Sequence, residues 1–354
     1  MHINNVNIIP DWRLEDIDGN VLHVKLLPLL RSIHQCGKLT KAAKECQLSY
    51  RHAWNILQEA ETFFGQAVTA KQQGRGAQLT PLGEVLLRAD QRIEARLHTQ
   101  VESLTMELNG EIHRVLADQV KVMSIYASHG YAVALVPEFL VTHQAEIHYH
   151  GPEDSLKALR SGACIIAGFH LPLHHRIVSQ QHRYQTLLTS GGVKVLRFIK
   201  RQQGLMMAKD NVRRIQSLSA LKNKDIRFVN RQPRSGTREL FDQILLEARI
   251  NPVDINGYDN HEYTHSAVAA HVATGMADVA FGVQAAAARF DLAFLPITED
   301  SYFWAYIDNE GDKVEIEAFI DVLRSSGFQH KVNELPGYEC DHCGEAAVIA
   351  DLLN

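Results

Sequence analysis

The carboxy-terminal two thirds of the sequence alternate between short apolar runs and amphipathic stretches, and this alternation restricts the fold more than any other feature. "VKVMSIYAS" (120–128), "AEIHYH" (145–150) and "ACIIAGFH" (163–170) predict strands. "YAVALVPEFLVTH" (131–143) and "PEDSLKALRSG" (152–162) predict helices. Strands that alternate with helices build βαβ units on a mainly parallel sheet. We therefore predict an α/β fold for this part of the chain.

Polar side chains follow several of the predicted strands. In open α/β sheets, ligands bind at loops that lead from the carboxyl ends of strands into helices. Loops 127–129, 168–170 and 235–237 carry small, hydroxyl or imidazole groups, and 263–265 precedes an alanine-rich helix. We predict that the ligand-binding residues are Ser128, His129, His170, Arg231, Ser235, Gly236, Thr237, Arg238, Tyr263, Thr264 and His265.

The stretch "FVNRQPRSGTRELF" (228–241) has the order of a strand, a turn and a helix start. The first turn of a helix has unpaired N–H groups and the positive end of the helix dipole, so Ser235, Gly236 and Thr237 could hold an anion there. Ser235 could instead be an ordinary N-cap with Glu239 as part of a capping arrangement. The residues alone leave both interpretations open.

The amino-terminal third has a helix-turn-helix pattern. "LLPLLRSIHQCG" (26–37), "LTKAAKEC" (39–46) and "YRHAWNILQEAETFFG" (50–65) have helical periodicity, and "AVTAKQQGRGAQLTPLGE" (67–84) has two short extended runs around a basic tip. Small residues at 42 and 43 allow two helices to cross closely. The pattern predicts a winged helix-turn-helix domain whose third helix buries Ala53, Ile56, Leu57 and Ala60.

Charge favours nucleic acid as the partner of this domain. Between Arg31 and Arg75 there are seven Lys or Arg residues and three acidic residues, although the whole chain has a net charge of −5. A positive region of this kind releases counterions from phosphate. For Trp54, packing against the domain is a better prediction than contact with a base. The predicted DNA-binding residues are Thr40, Ser49, Tyr50, Arg51, His52, Asn55, Lys71, Gln73 and Arg75.

"GKLTKAAKECQLSYRHAWNILQEAE" followed by "GRGAQLTPLGE" resembles the winged helix-turn-helix domain of molybdate-responsive repressors and, more distantly, of LysR-type regulators. The resemblance implies binding to double-stranded operator DNA as a dimer or tetramer. It also implies that "PLGEVLLRADQRIEARLHTQVESLTMEL" (81–108) contributes to dimerisation. A solvent-facing helix that bridges two domains is the alternative.

Residues 120–354 resemble the periplasmic-binding-protein-like domain found fused to winged-helix regulators. "RFVNRQPRSGTRELFDQIL" is similar to the oxyanion-binding loop of tungstate and phosphate transport receptors. The resemblance implies two lobes, with the chain crossing near Lys194–Ala208 and returning near Phe294–Tyr306, and a ligand between them. We expect Ser128 to lie in the same lobe as Ser235, and 263–265 in the opposite one.

The predicted domains are a winged helix-turn-helix (1–83), a linker or dimerisation helix (84–119) and a two-lobed ligand-sensing domain (120–354). No apolar run reaches the length of a membrane span, and the amino terminus does not resemble a signal peptide, so we expect a cytoplasmic protein. Five scattered cysteines fit a reducing compartment. We expect no metal site, treating His174 and His175 as solvated loop residues and Cys340 and Cys343 as part of the tail.

These features predict a one-component transcriptional regulator whose second domain senses a small anion. The two resemblances point to molybdate or tungstate, or to a related metabolite of the molybdenum cofactor, as effector rather than as catalytic cofactor. A small organic carboxylate is an alternative ligand. An enzyme on the same fold is disfavoured because no nucleophile, base and orienting group form a set. A transport receptor is disfavoured by the basic winged helix.

Overall fold

The computed structural model describes residues 6–72, 76–116, 122–140, 145–172, 175, 177–189, 191–212 and 214–353. They form two compact units, residues 9–97 and residues 98–354 together with the amino-terminal stretch up to residue 8. The helices are α1 (Leu26–Cys36), α2 (Leu39–Glu45), α3 (Tyr50–Phe64), α4 (Pro81–Leu116), α5 (Tyr131–Phe139), α6 (Pro152–Ser161), α7 (Val178–Leu188), α8 (Gly236–Glu247), α9 (His265–Ala273), α10 (Gln284–Arg289), α11 (Lys313–Arg324), α12 (Ser326–Asn333) and α13 (Ile349–Leu353). The strands are β1 (Thr69–Gln72), β2 (Gly76–Leu79), β3 (Met123–Ala127), β4 (Ala145–Tyr149), β5 (Ile166–Leu171), β6 (Val193–Met207), β7 (Phe228–Arg231), β8 (His261–Glu262), β9 (Val279–Val283), β10 (Ala293–Ile307), β11 (Tyr338–Cys340) and β12 (Ala346–Ala347).

The amino-terminal unit is a winged helix. Ala42 and Ala43 of α2 are fully buried, which permits the close helix crossing, and the predicted inner face of α3 is buried as well. Strands β1 and β2 form the antiparallel wing. A Cβ at Gly76, whose φ is +94°, would collide with the carbonyl oxygen of Gly37 at the end of α1. The wing therefore docks on α1 through a position that requires glycine.

One basic residue of the amino-terminal unit is used internally. Arg31 Nη2 lies 2.6 Å from Asp90 Oδ2 and 2.8 Å from Glu94 Oε2, both on α4. The indole Nε1 of Trp12 also donates to Asp90, at 3.2 Å. Arg31 therefore ties α1 to α4, and its charge is compensated rather than offered to a partner.

The carboxy-terminal unit is built on one mixed sheet with the strand order β4-β3-β5-β10-β6-β9-β7-β8. Strands β4, β3 and β5 are parallel to one another, and β8, β7 and β9 form a second parallel group. Between the groups run β6 and β10, each 15 residues long and antiparallel to each other. The β3–β5 group is the first lobe and the β7–β9 group is the second lobe. Both predicted crossings of the chain fall in β6 and β10.

Two expectations from the sequence are wrong. Ser128 follows β3 in the first lobe, whereas Ser235 follows β7 and His265 begins α9, both in the second lobe. The segment with Cys340 is not a loose tail, because β11 pairs with β6 and Cys343 is buried. Local periodicity identifies strands but not their neighbours, so it could not assign either placement. Among the described residues, no helix is long and apolar enough to cross a bilayer.

Candidate functional site

The exposed face of α3 carries most of the predicted DNA-binding residues. Tyr50, Arg51, His52 and Asn55 are exposed, as is Thr40 on α2. The hydroxyl of Ser49 accepts a hydrogen bond from His52 N at 3.1 Å, so Ser49 is the N-cap of α3. Gln73 and Arg75 lie outside the described residues, and so does the side chain of Lys71. The helix thus presents cationic, amide and aromatic groups to solvent from its first turns.

Trp54 is 41% exposed rather than packed in the core. It lines a surface cavity of about 420 Å³ between α3 and the wing, together with Tyr50, Gln58 and Lys38. Its indole is available to a partner of this face.

A second candidate site lies in the carboxy-terminal unit, where the two lobes meet. In the first lobe, Ser128 N donates to the hydroxyl of Tyr302 at 3.1 Å. His170, expected at the end of a strand, lies within β5 and is buried. A Cβ at Gly236, the first residue of α8 in the second lobe, would collide with His170 Nε2. The imidazole of one lobe therefore sits directly against the helix start of the other.

At the start of α8, Ser235 has the capping role that one interpretation of the "RSGTR" stretch gave it. Ser235 is the N-cap, since its hydroxyl accepts from Arg238 N at 3.3 Å. Thr237 is buried beside it. Arg238 is engaged elsewhere, because its Nε donates to Asp242 at 3.0 Å and its guanidinium stacks 4.0 Å from the centre of the Tyr258 ring.

Arg231, the last residue of β7, is the least compensated cation of the cleft. It is 8% exposed; its Nε donates to Gln232 Oε1 at 3.1 Å and its Nη2 to the Tyr263 carbonyl at 3.0 Å. Its Nη1 is buried without a hydrogen-bond partner among the described residues. Burial and the nearby charge of Arg201 lower the pKa of Arg231 to about 9. A buried guanidinium in these surroundings is stabilised by an anion.

Arg201 differs from Arg231 because it has a counter-ion. It lies in β6 where the chain crosses between lobes, and its Nε and Nη2 donate to Asp300 of β10 at 2.8 and 2.9 Å. The pair is almost fully buried. Burial disfavours the charged carboxylate, but Arg201 outweighs that effect and lowers the pKa of Asp300. Arg201 thus has its own counter-ion, whereas Arg231 has no carboxylate bonded to it among the described residues.

Two buried histidines also lie near Arg231. Burial, followed by the charge of Arg201, lowers the pKa of His170 to about 4. Burial and Arg231 lower the pKa of His265 as well. Both imidazoles are neutral at pH 7, and each then offers one donor and one acceptor. Within the described part of the chain, His170 has no hydrogen-bond partner on either ring nitrogen and His265 has none on Nδ1.

The remaining predicted residues have other roles. The side chain of Tyr263 is 67% exposed, and only its carbonyl meets Arg231. Thr264 is the N-cap of α9, accepting from Ala267 N at 2.9 Å. His175 is not simply solvated, since its Nδ1 lies 2.7 Å from Glu247 Oε2 and its Nε2 lies 2.9 Å from the Thr298 hydroxyl. His174 lies outside the described residues.

The lobes contact each other across the cleft. Tyr131 of α5 and Ser266 of α9 share a hydrogen bond of 2.9 Å between their hydroxyls. Arg183 of α7 donates to Glu239 of α8 at 3.0 Å. These contacts hold the first lobe against the second beside the buried arginines.

Sequence reasoning missed several cleft residues that lie in β6 and β10. Arg201, Asp300 and Tyr302 are all buried there. A signal was present, because "FIKRQQGLMM" (198–207) and "TEDSYFWAY" (298–306) place charged residues inside otherwise apolar strands. A charged residue in a strand that is buried on both faces is rarely without a partner or a function.

Two family models match the chain. Residues 24–84 match the bacterial regulatory helix-turn-helix proteins of the lysR family. Residues 140–324 match the PBP superfamily domain, and because this match covers more than half of the chain, the chain belongs to that superfamily. The matches confirm the LysR-type relationship of the winged helix and the predicted α/β fold class. The first model describes a DNA-binding domain, and the second describes a PBP superfamily domain.

The curated relatives that match parts of the chain include one protein from Bacillus subtilis and one from Rhodobacter capsulatus. The uncharacterized protein YvgK of Bacillus subtilis is 29% identical over 197 residues, which cover 56% of this chain and 63% of YvgK. The molybdenum-pterin-binding protein MopB of Rhodobacter capsulatus is 34% identical over 123 residues, covering 33% of this chain and 46% of MopB. The chain therefore spans less than two thirds of either relative.

Solved structures that match most of the chain include full-length HypT from Salmonella, a hypochlorite-specific LysR-type transcriptional regulator, with a TM-score of 0.46 and 14% identity. That match covers 90% of this chain and all of HypT. A mutant of OxyR from Corynebacterium glutamicum has a TM-score of 0.45 and 17% identity, covering 89% of this chain and 94% of OxyR.

Proposed function

We propose that this member of the PBP superfamily is a one-component transcriptional regulator that binds operator DNA through its winged helix and a small anion between its two lobes. The observation that carries the proposal is Arg231, a buried guanidinium with an unpartnered Nη1 and no carboxylate bonded to it among the described residues. Leaving a charge buried and unpaired costs several kcal/mol, roughly 3–5 in measured cases. An anionic ligand would supply the missing charge.

The surroundings of Arg231 suit an oxyanion. The start of α8 contributes N–H groups and the positive end of a helix dipole, and Thr237 contributes a hydroxyl. Neutral His170 and His265 contribute N–H donors without adding charge. Charge-assisted hydrogen bonds of about 1.5–3 kcal/mol each would offset the desolvation of the anion.

We propose molybdate, tungstate or a metabolite of the molybdenum cofactor as the effector. The similarity to the molybdenum-pterin-binding protein MopB supports this choice. The similarity of "RSGTR" to oxyanion-binding loops supports an oxyanion in general. A small organic carboxylate would also satisfy Arg231 and is the alternative.

The LysR-type match and the exposed hydrogen-bond donors of α3 support the proposal that the winged helix binds DNA. We propose that Arg51 and Asn55 contact base edges in the major groove and that the wing contacts phosphates. We further propose a homodimer or tetramer, with two winged helices on successive major grooves of a near-palindromic operator. Effector binding would stabilise the closed lobes and so shift the population of DNA-binding states.

Calorimetric titration of the full chain with molybdate, tungstate, sulfate, phosphate and formate tests the ligand. We expect one of the oxyanions to bind, and Arg231→Met to weaken it by about 100-fold, since roughly two charge-assisted hydrogen bonds disappear. The exposed Arg249→Met is the matched control and should bind as the wild type does.

Thermal unfolding of the same variants separates binding from structure. Without ligand, Arg231→Met should unfold at the same temperature as the wild type or higher, because an uncompensated buried charge is gone. A large loss of stability together with an absence of anion binding by the wild type would refute the proposed site.

A further inference from the structure

The end of α4 belongs to the same compact unit as the ligand cleft. Met106 of α4 packs against the main apolar core of that unit. A Cβ at Gly110 would collide with the carboxylate of Glu146 on β4, so the helix lies directly on the edge strand of the first lobe. This half of α4 is therefore anchored to the lobe that carries Ser128 and His170.

Glu102 of α4 makes a polar contact with His129, which lies in the loop between β3 and α5. Its Oε2 lies 3.5 Å from His129 Nε2 and 3.2 Å from His98 Nδ1, one turn earlier on the helix. Burial alone would favour the protonated acid, but the contacts with His129 and His98 outweigh it and lower the pKa of Glu102 to about 2. A charged carboxylate thus faces His129 at neutral pH.

His129 joins this contact to the site between the lobes. It follows Ser128 directly, and its ring packs edge-on against Tyr149 with 5.0 Å between ring centres. Its other neighbour is Tyr131, whose hydroxyl bonds to Ser266 of the second lobe. A movement of the loop between β3 and α5, or of one lobe against the other, therefore acts on His129.

We propose that Glu102 is a positioning residue that couples the cleft to α4 by acting through His129. The inference rests on the proposed function, because it gives the anion site a route to the helix that begins at Pro81, directly after the wing. When a bound anion stabilises the contact between the lobes, it fixes the loop that carries His129, and the Glu102 carboxylate transmits this restraint to α4. Glu102 itself does not contact the anion.

Hydrogen exchange of the full chain tests the coupling without any ligand. In Glu102→Gln, amide exchange of both 98–112 and 126–131 should be faster than in the wild type, by about threefold or more, since each segment loses its hold on the other. Glu107→Gln removes the same charge from an exposed position of the same helix and should change neither segment. Glu102→Asp keeps the charge and should recover part of the protection of both segments.

A purely structural role for Glu102 would affect the helix segment alone. If 126–131 exchanges at the wild-type rate in Glu102→Gln, the coupling is refuted, whether or not any anion binds. A global loss of protection in Glu102→Gln would make Glu102→Asp the deciding variant: restored protection in both segments supports the coupling, and restoration in 98–112 alone overturns it.

The functional readout is DNA binding, measured without molybdate and with roughly 1 mM molybdate as the probe ligand. We expect molybdate to change the affinity of the wild type for an operator duplex selected from random sequences by about fivefold or more, and Glu102→Gln to bind molybdate normally without that change. A full response in Glu102→Gln would overturn the coupling. An absence of molybdate binding by the wild type would instead count against the proposed ligand, and the exchange experiment still decides the role of Glu102.

Discussion

The winged helix and the ligand cleft present their polar side chains in opposite ways. On α3, the side chains of Arg51 and Asn55 are exposed to solvent. In the cleft, Arg231 and His170 are buried, and some of their nitrogen atoms have no partner among the described residues. The α3 surface can bind a partner without any buried polar group that lowers the stability of the fold. The cleft, in contrast, contains buried nitrogen atoms that need a ligand as hydrogen-bond partner.

Because of this difference, substitutions in the two regions should have different effects on the stability of the fold as well as on binding. Substituting an exposed residue of α3 removes contacts with DNA and leaves the fold almost unchanged. Substituting a buried charge of the cleft changes the balance of charges inside the protein. A ligand that fills the cleft should also raise the unfolding temperature, because it binds the folded chain only.

The largest effect is expected at the crossing between the lobes. Asp300→Asn leaves Arg201 buried without its counter-ion, so we expect a loss of about 3–5 kcal/mol in the free energy of unfolding, measured with urea. The control, Asp291→Asn, breaks a surface ion pair with Lys209 and should cost less than about 1 kcal/mol. Equal effects of the two substitutions would mean that the cleft charges are as hydrated as those on the surface.

A smaller effect is expected on α3. Arg51→Ala and Asn55→Ala should each reduce the preference for operator over random duplex by about 1–3 kcal/mol, which is the free energy by which a good base contact usually discriminates between sequences. Both variants should unfold at the wild-type temperature, since their side chains are exposed. The test is to measure the affinity of each variant for the two duplexes at several salt concentrations. An equal loss of affinity for both duplexes would mean that these residues contact phosphates rather than bases.

The smallest effects compare one helix cap in each region. Ser49→Ala and Ser235→Ala each remove an N-cap hydrogen bond, so each should lower the free energy of unfolding by about 1 kcal/mol. Thr237→Val keeps the volume of the side chain and should instead weaken anion binding about tenfold, with little change in unliganded stability. Loss of anion binding in Ser235→Ala but not in Thr237→Val would exchange their roles.

Part of the candidate site was predictable, and part was not. Ser128, His170, Arg231 and His265 were predicted because polar residues beside strand ends are visible in the sequence. Their grouping into lobes was predicted wrongly, since the order of strands in a sheet is not encoded in local periodicity. Arg201 was missed because it is embedded in an apolar strand.

The sequence by itself determined the local elements: the helices of the winged domain, the buried face of α3 and the strand, turn and helix start around Ser235. These depend on periodicity and on contacts within a few residues, which the sequence records directly. Only the tertiary structure decided which arginine has a counter-ion. Arg201 and Asp300 are 99 residues apart in sequence, and their pairing leaves Arg231 as the uncompensated charge. Desolvation and charge balance depend on everything that packs around a group, so they arise only when the whole unit has folded.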